Sequence, residues 1–143
     1  MKAYLSNSAG DTRAQGASMA KNLVGKEIIL LHGNLGAGKT EFMKGLVNFL
    51  NSRQKVTSPT FVLHKIYSTK KFPIHHFDFY RLGKKVNIEN IGLQEALTEK
   101  KRVIAIEWPE KILSLKKILP KKTIDIFFEH GKEENLRTIK IAR

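Results

Sequence analysis

The stretch EIILLHGNLGAGKTEFMKGL, Glu27 to Leu46, decides the fold. Its centre, Gly33-Asn34-Leu35-Gly36-Ala37-Gly38-Lys39-Thr40, matches G-x-x-x-x-G-K-S/T, the pattern of a phosphate-binding loop. Glycines at these places let the backbone turn with positive φ and aim its N–H groups at an anion. Lys39 would reach the β- and γ-phosphates of a nucleotide as a mobile point charge, and the Thr40 hydroxyl would bind Mg²⁺. A helix starting here adds its N-terminal partial positive charge. The flanks agree with the motif. Ile28 to Leu31 is an apolar run of the buried parallel-strand type. Phe42, Leu46, Phe49 and Leu50 then recur at helical spacing.

Working outward, Lys2 to Asn7 reads as a short strand, and Ser8 to Asp11 as a helix start. Ala14 to Val24 reads as a helix stopped at Gly25. After the helix that follows the loop, Ser58-Pro59-Thr60-Phe61 forms an extended entry in which Pro59 cannot donate to a ladder. Phe61 to Tyr67 and Phe72 to Phe77 read as an antiparallel pair around Ser68 to Lys71. Asn87 to Leu97 reads as a helix weakened by Gly92. Val103 to Ile106 is a second buried strand, Glu110 to Leu119 an amphipathic helix, and Thr123 to Phe128 with Leu136 to Ile141 a C-terminal hairpin. The expected fold is one α/β domain over residues 1–143, of the three-layer P-loop NTPase kind. Its mixed sheet has a parallel centre and antiparallel edge strands.

The chain has 143 residues, of which 41% are hydrophobic, enough for a core. It has no cysteine, which excludes disulfides, thiolate zinc sites and thiol catalysis. No apolar run approaches a membrane span and no secretory h-region is visible, so a cytoplasmic protein without membrane contact is expected. The net charge of +13 favours an anionic partner such as RNA or an acidic protein. The lysine doublets are spread along the chain and not interleaved with aromatics, which equally suits a solvated surface.

A phosphate-binding loop needs a second acid at the end of a neighbouring strand to hold magnesium. Glu107 caps Val103 to Ile106 and is assigned to Mg²⁺ with Thr40. Asp78 ends Ile74 to Phe77 and is expected near the γ-phosphate, orienting the attacking water or holding the metal's outer shell. Arg81 could stabilise transition-state charge or simply pair with Asp78. His75 and His76 must face opposite sides of a strand. Thr60, after Ser58-Pro59, suits a loop that senses the γ-phosphate. No N/T-K-x-D guanine signature is present, which disfavours GTP. An Arg-rich lid is not evident, which disfavours a small-molecule kinase.

Four blocks together resemble the TsaE (YjeE) family of bacterial P-loop ATPases. They are L-x-G-x-L-G-A-G-K-T at Leu31 to Thr40, S-P-T-F at Ser58 to Phe61, H-x-D-x-Y-R at His76 to Arg81, and I-E-W-P-E at Ile106 to Glu110. The resemblance implies that ATP binds along Gly33 to Glu41 and that Thr40 and Glu107 hold Mg²⁺. It implies a catalytic role for Asp78 beside Lys39 and Arg81. It makes Ser58, Pro59, Thr60 and Phe61 one switch and the His76 to Arg81 segment, with Tyr80, another; Trp108 is grouped with them. It further implies an ATP-hydrolysing accessory subunit, slow alone and stimulated by its partner, that supports turnover of the TsaB–TsaD heterodimer. That complex makes threonylcarbamoyladenosine in tRNA, so tRNA contact would be indirect. A small P-loop kinase, or a nucleotide-gated RNA- or protein-binding module with little hydrolysis, are the alternatives.

Two positions depart from the family pattern. Asn34 stands where Asp is usual, at a variable place in the loop. Glu41 stands where a hydroxyl is common. A carboxylate cannot donate to a phosphate, so Glu41 is expected to face solvent at the helix N-terminus, with lower nucleotide affinity as one consequence.

Overall fold

The computed structural model describes residues 1–51, 53–83, 91–112 and 114–143. In chain order it forms β1 (Lys2–Ser6), α1 (Ala9–Ala20), β2 (Ile28–His32), α2 (Lys39–Phe49), β3 (His64–Tyr67) and β4 (Ile74–Asp78). There follow α3 (Leu93–Thr98), β5 (Val103–Glu107), a 3-10 turn at Pro109–Lys111, α4 (Leu115–Ile118), β6 (Ile124–His130) and β7 (Arg137–Ala142). The strands make one seven-stranded sheet in the order β1-β7-β6-β2-β5-β4-β3. The inner strands β6, β2, β5 and β4 are parallel, while β3, β7 and β1 join antiparallel at the edges. This is the mixed sheet expected, including the C-terminal hairpin.

Strand β2 shows why the molecule has three layers. Every residue from Ile28 to Leu31 is buried, but alternate side chains enter different cores. Ile29 and Leu31 pack with Phe42, Met43 and Leu46 of α2 and Met19 of α1. Ile28 and Leu30 pack on the other face with Phe77, Leu93 of α3 and Leu115 of α4. Among the described residues, no helix is long and apolar enough to cross a membrane.

Helices α1 and α2 touch backbone to backbone. A Cβ placed on Gly16 would lie 2.0 Å from the Phe42 carbonyl oxygen, and one on Gly45 would lie 1.9 Å from that of Arg13. Glycine is thus needed twice at this crossing, and it sets α1 directly above the first turns of α2. Ser8 caps α1, its hydroxyl accepting from the Asp11 N–H at 3.0 Å.

Three sequence expectations need correction. Phe61 to Leu63 are a turn, not the start of β3, because the Pro59 carbonyl accepts from the Val62 and Leu63 N–H groups and Leu63 adopts φ 63. The segment Glu110 to Leu119 is not one helix. Ile112 leaves helical geometry, with φ −115 and ψ 101, and is buried in the second core. Helix α3 begins only after Gly92, which caps it at φ 79; the part of the expected helix over residues 87–90 lies outside the described residues.

The outer edge holds a chain of side chains. His64 Nε2 and His75 Nδ1 are 3.0 Å apart, and His75 Nε2 lies 3.0 Å from Glu99 Oε1. The His64 ring also stacks on Phe77 at 4.0 Å between centroids. Burial first, and His75 second, push the His64 pKa from 6.5 down to about 4.

Two outcomes follow from these contacts. On helix propensity alone Gly45→Ala would stabilise by roughly 1 kcal/mol; the backbone clash reverses the sign, so a loss of about 1–3 kcal/mol is expected in thermal or urea unfolding. An unchanged or raised melting temperature would contradict the packing of α1 on α2. The unfolded chain takes up a proton on His64 near pH 6.5 that the folded chain refuses until about pH 4. Stability from this residue is therefore full above that window and lost as pH falls through it. His64→Gln should fall less steeply with acid than wild type over this interval, and parallel profiles would sink the assignment.

Candidate active site

The loop after β2 turns through three glycines with positive φ: Gly33 at 144, Gly36 at 73 and Gly38 at 108. Gly33 also lies against β6, where a Cβ would come 2.7 Å from the Phe128 carbonyl oxygen. Between them Ala37 is buried at 1% exposure and pins the inner side of the loop. Gly38 is the N-cap of α2, so Lys39 and Thr40 stand at the positive end of that helix. His32, the last residue of β2, anchors the other end. It bonds Asp125 at 2.8 Å and stacks on Phe127.

Lys39 is 5% exposed. Its Nζ donates to the carbonyls of Gly33 at 2.5 Å and Asn34 at 3.0 Å, and sits 4.4 Å from the centre of the Trp108 ring. Burial pushes the Lys39 pKa below the usual lysine value, against the opposing pull of Glu107, Asp78 and Glu110.

The two acids arrive by strand register. Leu31 of β2 pairs with Glu107 of β5, and Glu107 pairs with Asp78 of β4. All three positions lie at the carboxyl ends of parallel strands, where open α/β sheets form their crevices. Glu107 Oε1 and His76 Nε2 are 2.9 Å apart. Asp78 is held from three sides. Its Oδ1 accepts from the Tyr80 N–H at 2.8 Å, and its Oδ2 from the hydroxyls of Thr60 at 2.6 Å and Ser58 at 3.2 Å. A cleft of about 270 Å³ brings Lys39, Thr40, Ser58, Thr60, Asp78, Glu107 and Trp108 together with the loop. A larger groove of about 540 Å³ between β1 and α1, lined by Lys2, Tyr4 and Gln15, gathers no such set.

Other expected residues fall elsewhere. Arg81 is exposed and does not line the cleft; its guanidinium covers the Phe61 ring at 4.1 Å, and Asp78 takes its hydrogen bonds from other groups. His76 stands in strand β4, as the strand reading expected. It is wholly buried inside β4 and props Glu107. Tyr80 packs on Trp108 at 4.9 Å between centroids. Glu41 does not point freely to solvent. Its carboxylate pairs with Arg13 of α1 and with Lys44 at 2.5 Å. Residues outside the motifs also reach the loop: Arg137 Nη2 donates to the Gly36 carbonyl at 3.4 Å, and Thr12 lies against Gly38.

The donor set suits a hard cation with phosphate: a hydroxyl, two carboxylates, backbone amides and one ammonium. Among the described residues no three or more His, Cys, Asp or Glu side chains gather into a closed metal cage.

A family model described as threonylcarbamoyl adenosine biosynthesis protein TsaE matches residues 6–139. The chain is 41% identical to the tRNA threonylcarbamoyladenosine biosynthesis protein TsaE of Rickettsia prowazekii, over 76% of this chain and 75% of that one. It is 37% identical to the protein of the same description from Treponema pallidum, over 85% of this chain and 87% of that one. The crystal structure of the Bacillus protein YdiB superposes with a TM-score of 0.78 at 25% identity, covering 96% of this chain and 82% of that one. The chain belongs to the TsaE family of threonylcarbamoyl adenosine biosynthesis proteins.

Proposed function

We propose that residues 1–143 form a single Mg-dependent P-loop ATPase domain, the ATP-hydrolysing accessory subunit of the tRNA threonylcarbamoyladenosine-modification machinery. Family membership supports the pathway. The observation that carries the chemistry is the register placing Glu107 and Asp78 beside the loop that bears Lys39 and Thr40.

Bound Mg²⁺–ATP would supply the phosphoryl group and the metal charge that polarises it. The chain's residues do the rest. The loop amides and the α2 N-terminus receive phosphate oxygens. Lys39 exchanges the carbonyls of Gly33 and Asn34 for the β- and γ-phosphates. Thr40 and Glu107 would hold the metal, with His76 fixing the Glu107 carboxylate. Asp78 orients the attacking water at the γ end. In its present bonds Asp78 is engaged by Ser58, Thr60 and Tyr80. With both oxygens already accepting from these groups, Asp78 must give up a bond before it can orient water, which supports slow turnover alone and a role for a partner in releasing it. Arg81 stacked on Phe61 would move with the Ser58 to Phe61 segment.

Three variants test this reading. Trp108 is the only tryptophan and carries the Lys39 ammonium on its ring, so its fluorescence should report nucleotide binding. Lys39→Ala should weaken ATP binding by about 100-fold and abolish TsaB–TsaD-dependent phosphate release. Modification of tRNA surviving in a reconstituted system with that variant would overturn the mechanism. Asp78→Asn should bind nucleotide almost normally while phosphate release drops by roughly 100-fold or more. Glu107→Gln should instead raise the magnesium concentration needed for half-maximal release. Phosphate found on an acceptor rather than in solution would mark a kinase.

A further inference from the structure

Two hollows meet at the phosphate-binding loop, and Glu41 stands in the wall of both. The first is the cleft with Lys39, Glu107 and Asp78. The second is a narrower groove of about 120 Å³ on the other side of the loop, lined by Ser8, Thr12, Gly36, Asn135 and Arg137. Glu107 and Asp78 mark the terminal-phosphate end of the cleft. The phosphate nearest the sugar then lies at the first turn of α2, where Glu41 is the residue after Thr40. A nucleoside continuing from that turn into the groove would pass the Glu41 side chain, which lines both hollows.

That side chain is built into place. Arg13 holds Oε2 and Lys44 holds Oε1. Arg13 is itself set by the glycine crossing of α1 on α2, since its carbonyl occupies the space beside Gly45. The hydrogen bonds from Lys44 and Arg13 keep the Glu41 pKa below the ordinary carboxylate value despite partial burial. The group is thus an ionised acceptor with lone pairs to spare on each oxygen. Of the hydroxyls nearby, Ser8 Oγ accepts from the Asp11 N–H and Thr12 Oγ1 bonds Ser6 Oγ at 2.7 Å; neither carries the charge that makes the Glu41 carboxylate the stronger acceptor. An anionic acceptor repels phosphate but matches a sugar diol, whose hydroxyls donate to carboxylates in other nucleotide sites.

We propose that Glu41 reads the ribose: its carboxylate, clamped by Arg13 and Lys44, accepts a hydrogen bond from a sugar hydroxyl and makes the site prefer ribonucleotides over deoxyribonucleotides. This rests on the nucleotide reading of the cleft. It also gives the acid a use at a position where a hydroxyl donor would otherwise serve a phosphate.

The test is calorimetric titration of the full chain with ADP, 2′-deoxy-ADP, 3′-deoxy-ADP and inorganic tripolyphosphate. Wild type should bind at least one deoxy form about tenfold more weakly than ADP, the worth of one hydrogen bond to a charged acceptor. Glu41→Met should bring the ADP and deoxy affinities within about twofold of each other while binding tripolyphosphate no more weakly than wild type. Equal binding of ADP and both deoxy forms by wild type overturns the proposal without needing any variant to fold. So does a preference that survives in Glu41→Met. Tripolyphosphate binding in either case leaves the phosphate cleft standing. Binding of neither ADP nor tripolyphosphate removes the nucleotide reading, and this assignment with it.

Discussion

Leu31, Glu107 and Asp78 sit side by side at the carboxyl ends of three parallel strands, and the candidate chemistry depends on that alignment. A strand that slips by one residue turns every side chain to the opposite face. Here a slip is opposed from both sides. Moving β5 by one place would exchange Ile104 and Ile106, which belong to one core, with Val103 and Ala105, which belong to the other. The two cores are built from different side chains, so register is held by packing on each face. The acids need no separate device to find the loop. They stand where the apolar pattern of their strands runs out.

Setting two carboxylates beside each other at 2% and 3% exposure is costly unless each is satisfied. Asp78 meets that cost with two hydroxyls and a backbone N–H, and Glu107 with His76. Among the described residues Lys39 is the only lysine or arginine lining the cleft. Its own burial outweighs the attraction of the acids, and its pKa falls below the usual lysine value. An ammonium in that balance is held by two carbonyls and an aromatic face rather than by a tight ion pair. Such contacts are individually modest, and a multiply charged phosphate offers a better exchange. The surplus of +13 on the whole chain is a different matter, spread over surface lysines away from this balance.

Much of this was legible because it is local. Strand, loop and first turn of α2 are contiguous, and the loop's glycines announce the positive φ they adopt. Glu107 and Asp78 could be read because each closes an apolar run that had to be a strand. The Phe61 to Leu63 turn was missed at short range, where the Pro59 carbonyl captures two N–H groups, but most other misses come from contact across the chain. Glu110 to Leu119 has helical spacing, but Ile112 is drawn into the core beneath β5 and breaks the helix. Arg137 reaches Gly36 across 101 positions, and His32 reaches Asp125 across 93. No spacing rule foretells such pairs. Arg81 shows the same reach on a shorter scale: three residues past Asp78, it has Phe61 within reach, and the exposed ring offers its guanidinium a flat partner. His76 was readable as a strand residue, but not its partner: its buried Nε2 lies 2.9 Å from Glu107 Oε1 on the neighbouring strand.

The bonds at Asp78 tie the interior of the site to its rim. Thr60 holds the carboxylate with its hydroxyl, and the next residue, Phe61, is 81% exposed with Arg81 against its ring. Between them the backbone is tightly constrained. Pro59 fixes one end of the turn through its carbonyl, and Leu63 at φ 63 marks the other. A non-glycine residue at positive φ is held there by its surroundings and stores strain. A turn braced in this way does not bend gradually. Displacing the Phe61 ring must either carry Thr60 with it, lengthening a 2.6 Å bond to Asp78, or relax Leu63. In the proposed ATPase the first of these frees Asp78 to face water at the γ-phosphate. The hydrogen bonds that make Asp78 affordable in the folded chain are then the same ones that hold its reactivity down.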